Sequence, residues 1–473
     1  MNTIRVDVAV IGAGTAGLAA YRAAATAGKR AVVIEGGPYG TTCARVGCMP
    51  SKLLIAAADA AHAAHRWDGF GLRLQGGVAV DGRAVMARVK RERDRFVGFV
   101  LAGVDNIPSA DKLLGHARFA DDRTLVVDSG VRVRFERAVI ATGSSPAIPP
   151  FLRGAGDRLV VNDDIFDWDT LPGSVAVFGP GVIGLELGQA LHRLGVRVHM
   201  FGKDRLVGPF TDSAIREYAE RTFASEFALD ADAKIRRIEK VGDAVELDQL
   251  GSDGETRTIT VDYVIAATGR SPNVRNLGLE HTSLKLDARG VPLFDRETMR
   301  CGESHIFIAG DANNDLPLLH EAADEGRIAG ENAAAYPCVR PGLRRTPLAA
   351  VFSDPQLAVV GSRFADLQRD EFVIGEASFE DQGRSRVMLR NRGLLHVYAD
   401  MYSGAFLGAE MIGPDAEHIA HLLAWAHQAG MTVEGMLEMP FYHPVVEEGL
   451  RTALRDAKAK LDHARSEREP LAA

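Results

Sequence analysis

Two stretches of the chain share one pattern: a Val/Ala/Ile-rich run of strand length, a glycine-rich turn, a helical run, then a second apolar strand. The first is Val6-Asp7-Val8-Ala9-Val10-Ile11, then Gly12-Ala13-Gly14-Thr15-Ala16-Gly17. An alanine-rich run from Leu18 to Ala27, closed by Gly28, and a strand from Ala31 to Ile34 follow. The second is Val175-Ala176-Val177-Phe178, then Gly179-Pro180-Gly181-Val182-Ile183-Gly184. A helix to Leu194, closed by Gly195, and a strand from Val196 to Phe201 follow. A glycine just past each helix suits a left-handed C-terminal cap. Each stretch therefore predicts a βαβ unit. After Tyr336 the pattern changes to strands from Ala349 to Phe352, Leu394 to Tyr398 and Phe406 to Ile412, with a helix from Ala416 to Ala429. The charged, alanine-rich end, roughly Arg455 to Ala473, predicts a helix followed by a loose end.

Glycines in such a turn let the backbone approach a pyrophosphate, which then rests on the unsatisfied N–H groups at the helix N-terminus. One G-x-G-x-x-G can also arise from packing alone. Two copies in strand-turn-helix-strand context predict two dinucleotide sites, on Gly12, Gly14 and Gly17 and on Gly179, Gly181 and Gly184. The copies differ at the end of the second strand, where Glu35 in the first has Gly202 as its counterpart. An acid there accepts hydrogen bonds from a ribose 2′-hydroxyl and repels a 2′-phosphate, so the first copy suits FAD or NAD. The second lacks the acid and continues into Lys203 and Arg205, which would accept the 2′-phosphate of NADP. The alternative, solvated loop charges flanking Asp204, stays open.

A chain of 473 residues predicts about three domains. With 46% hydrophobic and 25% charged residues it is neither collagen-like nor largely disordered. A net charge of −8 supplies no general attraction to nucleic acid or anionic lipid. Four cysteines are too few for a secreted disulfide framework, so a bridge here would be catalytic or redox-sensing. Met1 to Asp7 lead straight into a strand without signal-peptide features, and no apolar run reaches spanning length. A soluble, cytoplasmic protein is expected.

Cys43 and Cys48 follow the first βαβ unit. Inside a regular helix their Cα atoms would stand roughly 8 Å apart, beyond disulfide reach. A bridge would need Cys43 at a distorted first turn, with Gly47 supplying backbone freedom, and would be strained and exchangeable. Unlinked buried thiols are the alternative.

The segment Cys43-x4-Cys48-Met49-Pro50-Ser51-Lys52 resembles the redox motif of the flavoprotein disulfide reductases, and its Pro-Ser-Lys-Leu-Leu continuation is most similar to the dihydrolipoamide dehydrogenases. Ala141-Thr142-Gly143, Ala267-Thr268-Gly269-Arg270-Ser271-Pro272-Asn273, Ile308-Ala309-Gly310-Asp311 and His443-Pro444-Val445-Val446-Glu447-Glu448 extend the resemblance nearly end to end. It implies an α/β fold with two Rossmann-like domains: an FAD-binding domain at 1–148 and 270–345 and an NAD(P)-binding domain at 149–269. A C-terminal α+β dimerisation domain would occupy 346–473.

By the same resemblance FAD is held by Gly12, Gly14, Gly17, Glu35, Thr42, Lys52, Thr142, Gly143 and Asp311. NAD or NADP is held by Gly179, Gly181, Gly184, Lys203, Arg205, Gly269 and Arg270. Cys43 is implied as the interchange thiol, and Cys48 as the thiolate facing the flavin. His443 is implied as the base, oriented by Glu448, and Lys52 with Glu186 as an ion pair beside the flavin. The His–Glu pair would come from the neighbouring subunit of a homodimer.

The implied substrate is a small dithiol, foremost dihydrolipoamide, and a 2-oxoacid dehydrogenase complex is a candidate partner, although the chain carries no lipoyl domain. No metal is implied. Val445 stands where the family has threonine, Phe441 where lipoamide dehydrogenases often have histidine, and Pro180 and Gly202 depart from the second fingerprint. Cys301 and Cys338 match no redox motif, and the tail has no cysteine pair, against mercuric reductase or high-molecular-weight thioredoxin reductase. Alternatives are an NADPH-dependent reductase of another small disulfide, glutathione-like or bacillithiol-like, and a flavin redox sensor without turnover.

Overall fold

The computed structural model describes residues 2–73, 75–251 and 253–468. Both predicted βαβ units are present. In the first, strand β1 (Asn2–Ile11) runs into helix α1 (Thr15–Thr26) and strand β2 (Ala31–Glu35). The unbroken apolar run Val8–Ile11 is buried, as expected of a parallel strand covered on both faces. A five-residue helix α2 (Thr42–Val46) and a longer helix α3 (Cys48–Ala63) follow.

The sheet around β1 has the order Lys112–Leu114, β2, β1, Val131–Ile140, Thr124–Val127, Ala117–Asp121. The first half of Val131–Ile140 pairs antiparallel with Thr124–Val127, and its end pairs parallel with Ile306–Ile308. The chain then leaves this sheet through a short strand β3 (Ser144–Pro146).

The second βαβ unit is β4 (Ser174–Phe178), α4 (Val182–Arg193) and β5 (Arg197–Phe201). Its parallel sheet has the order Ala228–Asp230, β5, β4, Tyr263–Ala266, Leu159–Val161. A three-stranded antiparallel sheet, Lys234–Val241, Ala244–Leu250 and Thr256–Val261, accompanies it. The chain returns through β6 (Arg270–Pro272), antiparallel to β3. Helix α5 (Leu319–Ala335) then packs on α1.

The last third forms a five-stranded antiparallel sheet with the order Leu348–Val351, Gln356–Gly361, Phe406–Gly413, Leu394–Asp400, Phe372–Ser378. Helices α6 (Ala416–Gln428) and α7 (Glu448–Arg468) share its core through Ile419, Leu423, Leu450 and Leu454. The expected C-terminal helix is thus present to Arg468, and the expected loose end lies outside the described residues. The strand Phe372–Ser378 was not foreseen from the pattern.

The chain divides into two compact units: the residues up to Pro50 with Val89–Ala147 and Gly269–Arg344, and the rest. Residues 51–88, 148–268 and 345–473 make up the second unit. Within it, Lys52 and Asp59 on α3 pair with Glu186 and Arg193 on α4. Fully buried Glu410 accepts from the backbone N–H groups of Thr211 (2.9 Å) and Asp212 (3.0 Å), and Asp212 bonds His396 at 2.7 Å. Among the described residues no helix is long and apolar enough to cross a membrane.

Candidate active site

The first glycine turn is shaped by the backbone it must approach. Gly12 sits at φ +104°, and a Cβ there would collide with the Ala141 carbonyl; a Cβ on Gly17 would collide with the Gly12 carbonyl. Glu35 ends β2 and folds back on the turn, its Oε2 accepting from Ala13 N–H at 2.7 Å and its Oε1 from Gly37 N–H at 2.8 Å. Beside it, Thr142 Oγ1 and the Tyr39 hydroxyl are buried with no hydrogen-bond partner. Burial, with the Glu35 charge second, pushes the Tyr39 phenol up. Orphaned hydroxyls are rare in protein interiors and point to a missing partner. A glycine cradle, an acid at the strand end and two waiting hydroxyls fit the adenosine and pyrophosphate of FAD.

The segment that carries the two cysteines departs from a regular helix between them. Thr41, at φ +55°, caps α2 by accepting from Ala44 N–H at 3.3 Å. Cys43 is the second residue of α2, with Thr42 before it, and the helix breaks at Gly47 (φ −124°, ψ −115°). Cys48 then opens α3, at the helix end that stabilises negative charge. A Cβ on Gly47 would lie 3.1 Å from Thr42 O and 3.2 Å from Cys43 Cα, so a larger residue would press on the start of α2. Cys43 is half-buried and Cys48 exposed. Cys301 differs in kind: it is buried, and burial pushes its thiol up, away from the reactive thiolate.

One turn along α3, Lys52 Nζ lies 2.7 and 2.8 Å from the two carboxylate oxygens of Glu186. Glu186 is only 5% exposed and also accepts from Phe352 N–H at 3.0 Å, while the ammonium sits 4.5 Å above the Phe352 ring. The pairing inferred for Lys52 and Glu186 is present.

The second glycine turn repeats the first in backbone but not in chemistry. Gly179 has the same φ of +104° and approaches the Ala267 carbonyl, and Gly184 approaches Gly179. At the strand end, however, a Cβ on Gly202 would lie 2.6 Å from Ala231 O and 2.9 Å from Pro180 Cγ. Pro180 occupies the place of Ala13 and has no N–H. The two sequence departures are thus one feature, in which donor and acceptor of the first copy's bond are both missing. Lys203 is exposed, 3.9 Å from Asp204, and Arg205 pairs with Glu220 at 2.9 Å.

Arg270, expected among the coenzyme residues, lies on β6 with its guanidinium on Ser144. Ser144 in turn donates to Asp311 at 2.6 Å. Gly143 and Gly269 serve the same joint, accepting from Asn273 N–H and Ala147 N–H at 2.9 Å each. Sequence reasoning missed Ser144, whose strand carries no motif of its own.

The His443 Nδ1 lies 3.1 and 3.0 Å from the two oxygens of Glu448. A carboxylate only accepts, so Nδ1 donates to Glu448. The bond from His443 holds the Glu448 carboxyl below the usual carboxylate range. His443 is 79% exposed, between the exposed side chains of Met439 and Tyr442 on one side and Pro444 on the other.

Comparison with known proteins agrees with this geometry. Residues 6–326 match the pyridine nucleotide-disulphide oxidoreductases, and residues 348–454 match the dimerisation domain of that family. The chain is 32% identical to a dihydrolipoyl dehydrogenase of Haloferax volcanii over 97% of each chain. It is also 32% identical to a mercuric reductase of Shigella flexneri, over 94% of this chain and 80% of that one. Among solved structures, the HOCl-induced flavoprotein disulfide reductase RclA from Escherichia coli, as its Cu(II) complex, superposes with a TM-score of 0.81 at 22% identity. That likeness, over 96% of this chain and 99% of that one, is one of fold. With its two glycine turns, its Cys43–Cys48 segment and its C-terminal domain, the chain belongs to the pyridine nucleotide-disulphide oxidoreductase family and has that family's FAD and NAD(P) as its cofactors.

Proposed function

We propose that this enzyme passes electrons between a small dithiol, foremost dihydrolipoamide, and NAD(P) through the Cys43–Cys48 pair. The helix break at Gly47 carries the reading, because it puts Cys43 on α2 and Cys48 at the start of α3, where one continuous helix would hold their Cα atoms beyond disulfide reach. Bound FAD supplies the two-electron relay between the cysteines and the nicotinamide.

His443 Nε2 takes a proton from the dithiol, and the resulting thiolate attacks Cys43 Sγ in the oxidised pair, with Cys48 leaving as thiolate. The second substrate sulfur then displaces Cys43, forming the substrate disulfide. The substrate loses two electrons and two protons, matching reduction of NAD(P)⁺ to NAD(P)H with release of one proton. Lys52 supplies positive charge, and Glu186 keeps its ammonium in place. Exposed His443 with exposed apolar Tyr442 and Met439 suits a base that a second copy of the chain covers, which supports a homodimer with a shared active site. A redox-active dithiol and few other cysteines suit the cytoplasm.

The missing acid and missing N–H at Gly202 and Pro180 favour a second reading, an NADPH-dependent reductase of another small disulfide. Anaerobic flavin spectra recorded during titration with NADH, NADPH and dihydrolipoamide separate the two. The first reading expects a long-wavelength band with dihydrolipoamide, absent in Cys48→Ser. Reduction by the nicotinamides alone, with dihydrolipoamide leaving the spectrum unchanged, moves the assignment to another disulfide.

A further inference from the structure

The exit strand β3 and the return strand β6 pair with Arg270 opposite Pro146 and Pro272 opposite Ser144. Three hydrogen bonds converge on Ser144. Its carbonyl oxygen accepts from Arg270 Nη2 at 2.7 Å, its Oγ accepts from Arg270 Nε at 2.8 Å, and the same Oγ donates to Asp311 Oδ2 at 2.6 Å. The hydroxyl has one proton and the carboxylate can only accept, so the direction is fixed: guanidinium to hydroxyl to carboxylate. A cation at one end and an anion at the other polarise every link between them. The turn bearing Asp311 is braced from the other side by Glu325, fully buried, whose Oε2 accepts from Gly310 N–H at 2.8 Å and Asn313 Nδ2 at 2.7 Å. One edge of the guanidinium, Nε with Nη2, is thus spent on a single residue, a use for which lysine offers no substitute.

We propose that Arg270 is a positioning residue of the flavin site, holding the Asp311 carboxylate through Ser144, and that it does not bind the nicotinamide coenzyme. The proposal rests on the reading of Asp311 as a flavin ligand, and the experiment tests the two separately. Holoenzyme carrying Ser144→Ala, Ser144→Thr, Arg270→Met or Asp311→Asn is compared with the parent. FAD affinity is read from the recovery of free-flavin fluorescence on dilution, and coenzyme use from the KM for NADH and NADPH.

Ser144→Ala and Arg270→Met should each weaken FAD binding about tenfold, the effect of a lost hydrogen bond to a charged group. Ser144→Thr, which keeps the hydroxyl, should restore it, and KM for both nicotinamides should hold. A merely structural role for Ser144 would leave threonine no better than alanine. Unchanged FAD affinity in both Ser144→Ala and Arg270→Met, beside a loss in Asp311→Asn, overturns the relay and leaves Asp311 in its role. Unchanged affinity in Asp311→Asn removes the reading of Asp311 and the proposal with it. A raised nicotinamide KM in Arg270→Met with FAD binding intact returns Arg270 to the coenzyme. Ser144→Ala deletes one oxygen from a half-buried strand position, so the relay can be judged even if Arg270→Met folds poorly.

Discussion

The two βαβ units have the same backbone and spend their polar groups in opposite ways. Helix α1 buries Ala16, Leu18, Ala20, Tyr21 and Ala24, with no charge among them, and its turn keeps an acid, Glu35, folded onto Ala13 N–H. Helix α4 buries Glu186, Gln189 and Arg193 on one face. These hold Lys52, Asp59, Glu226 and the backbone at Phe352 and Asp354, while the turn keeps neither acid nor N–H. Arg193 is 2% exposed, with Glu226 at 2.6 Å, Asp59 at 3.1 Å and Asp354 at 3.2 Å. The first unit packs with apolar surface and keeps its acid on the turn. The second packs with polar groups and keeps no acid there.

The largest effect should come from breaking the charged face of α4. Arg193→Met leaves three carboxylates facing an uncharged side chain, and removing one partner from a buried ion network costs about 3–5 kcal/mol. Denaturant unfolding measures this, and a loss below about 1 kcal/mol would mean that the face contributes little to packing.

Next, Glu35→Ala removes the acceptor of two backbone bonds and, under the proposed function, of the FAD ribose. FAD affinity should fall by about 2 kcal/mol, the scale of a charged hydrogen bond, as followed by flavin fluorescence. Intact affinity would erase the contrast between the two turns.

Gly202→Glu alone should fail to create an NAD site. It overpacks against Pro180 and Ala231 at a cost of about 1–3 kcal/mol, and finds no N–H to accept from. Pro180→Ala with Gly202→Glu should recover only part of the melting temperature, because the contact with the Ala231 backbone remains, and should shift kcat/KM toward NADH. If Gly202→Glu alone does as well, Pro180 is irrelevant.

The smallest effect is a pH dependence beside Arg193. His62 faces a cavity of about 500 Å³ with His65, His192 and Arg193. Burial first, and the Arg193 charge second, lower its pKa from 6.5 to about 4. Between those values the unfolded chain binds a proton that the folded chain refuses. Stability is therefore full above about 6.5 and declines as pH falls toward 4. Melting curves at stepped pH should flatten in this window in His62→Gln; an unaltered slope assigns the acid sensitivity to other groups.

Both βαβ units, the cysteine pair and the His443–Glu448 pair were legible because each is a short-range pattern that local geometry dictates. Glycine spacing fixes a turn, and a bridge from Cys43 to Cys48 would need the helix broken between them. The Arg193 cluster was not legible, because Arg193 meets Asp59, Glu226 and Asp354 across 134, 33 and 161 residues, and such pairings leave no periodicity. The same holds for residues 51–88, whose side follows from Lys52 and Asp59 finding partners on α4. Pro180 and Gly202 were each visible as departures, but their contact belongs to tertiary packing. That Arg270 meets Ser144 was hidden for a related reason, since its motif reports where the backbone runs and says nothing of which neighbour its side chain meets.

The pairing of β3 with β6 also bears on how such a chain is assembled. Ala147 N–H donates to Gly269 O at 2.9 Å, so the two ends of the intervening segment are adjacent, whatever its length. In topological terms the segment is a cassette spliced into a hairpin. A gene could lengthen it, and new termini could be opened inside it, without cutting the sheet around β1.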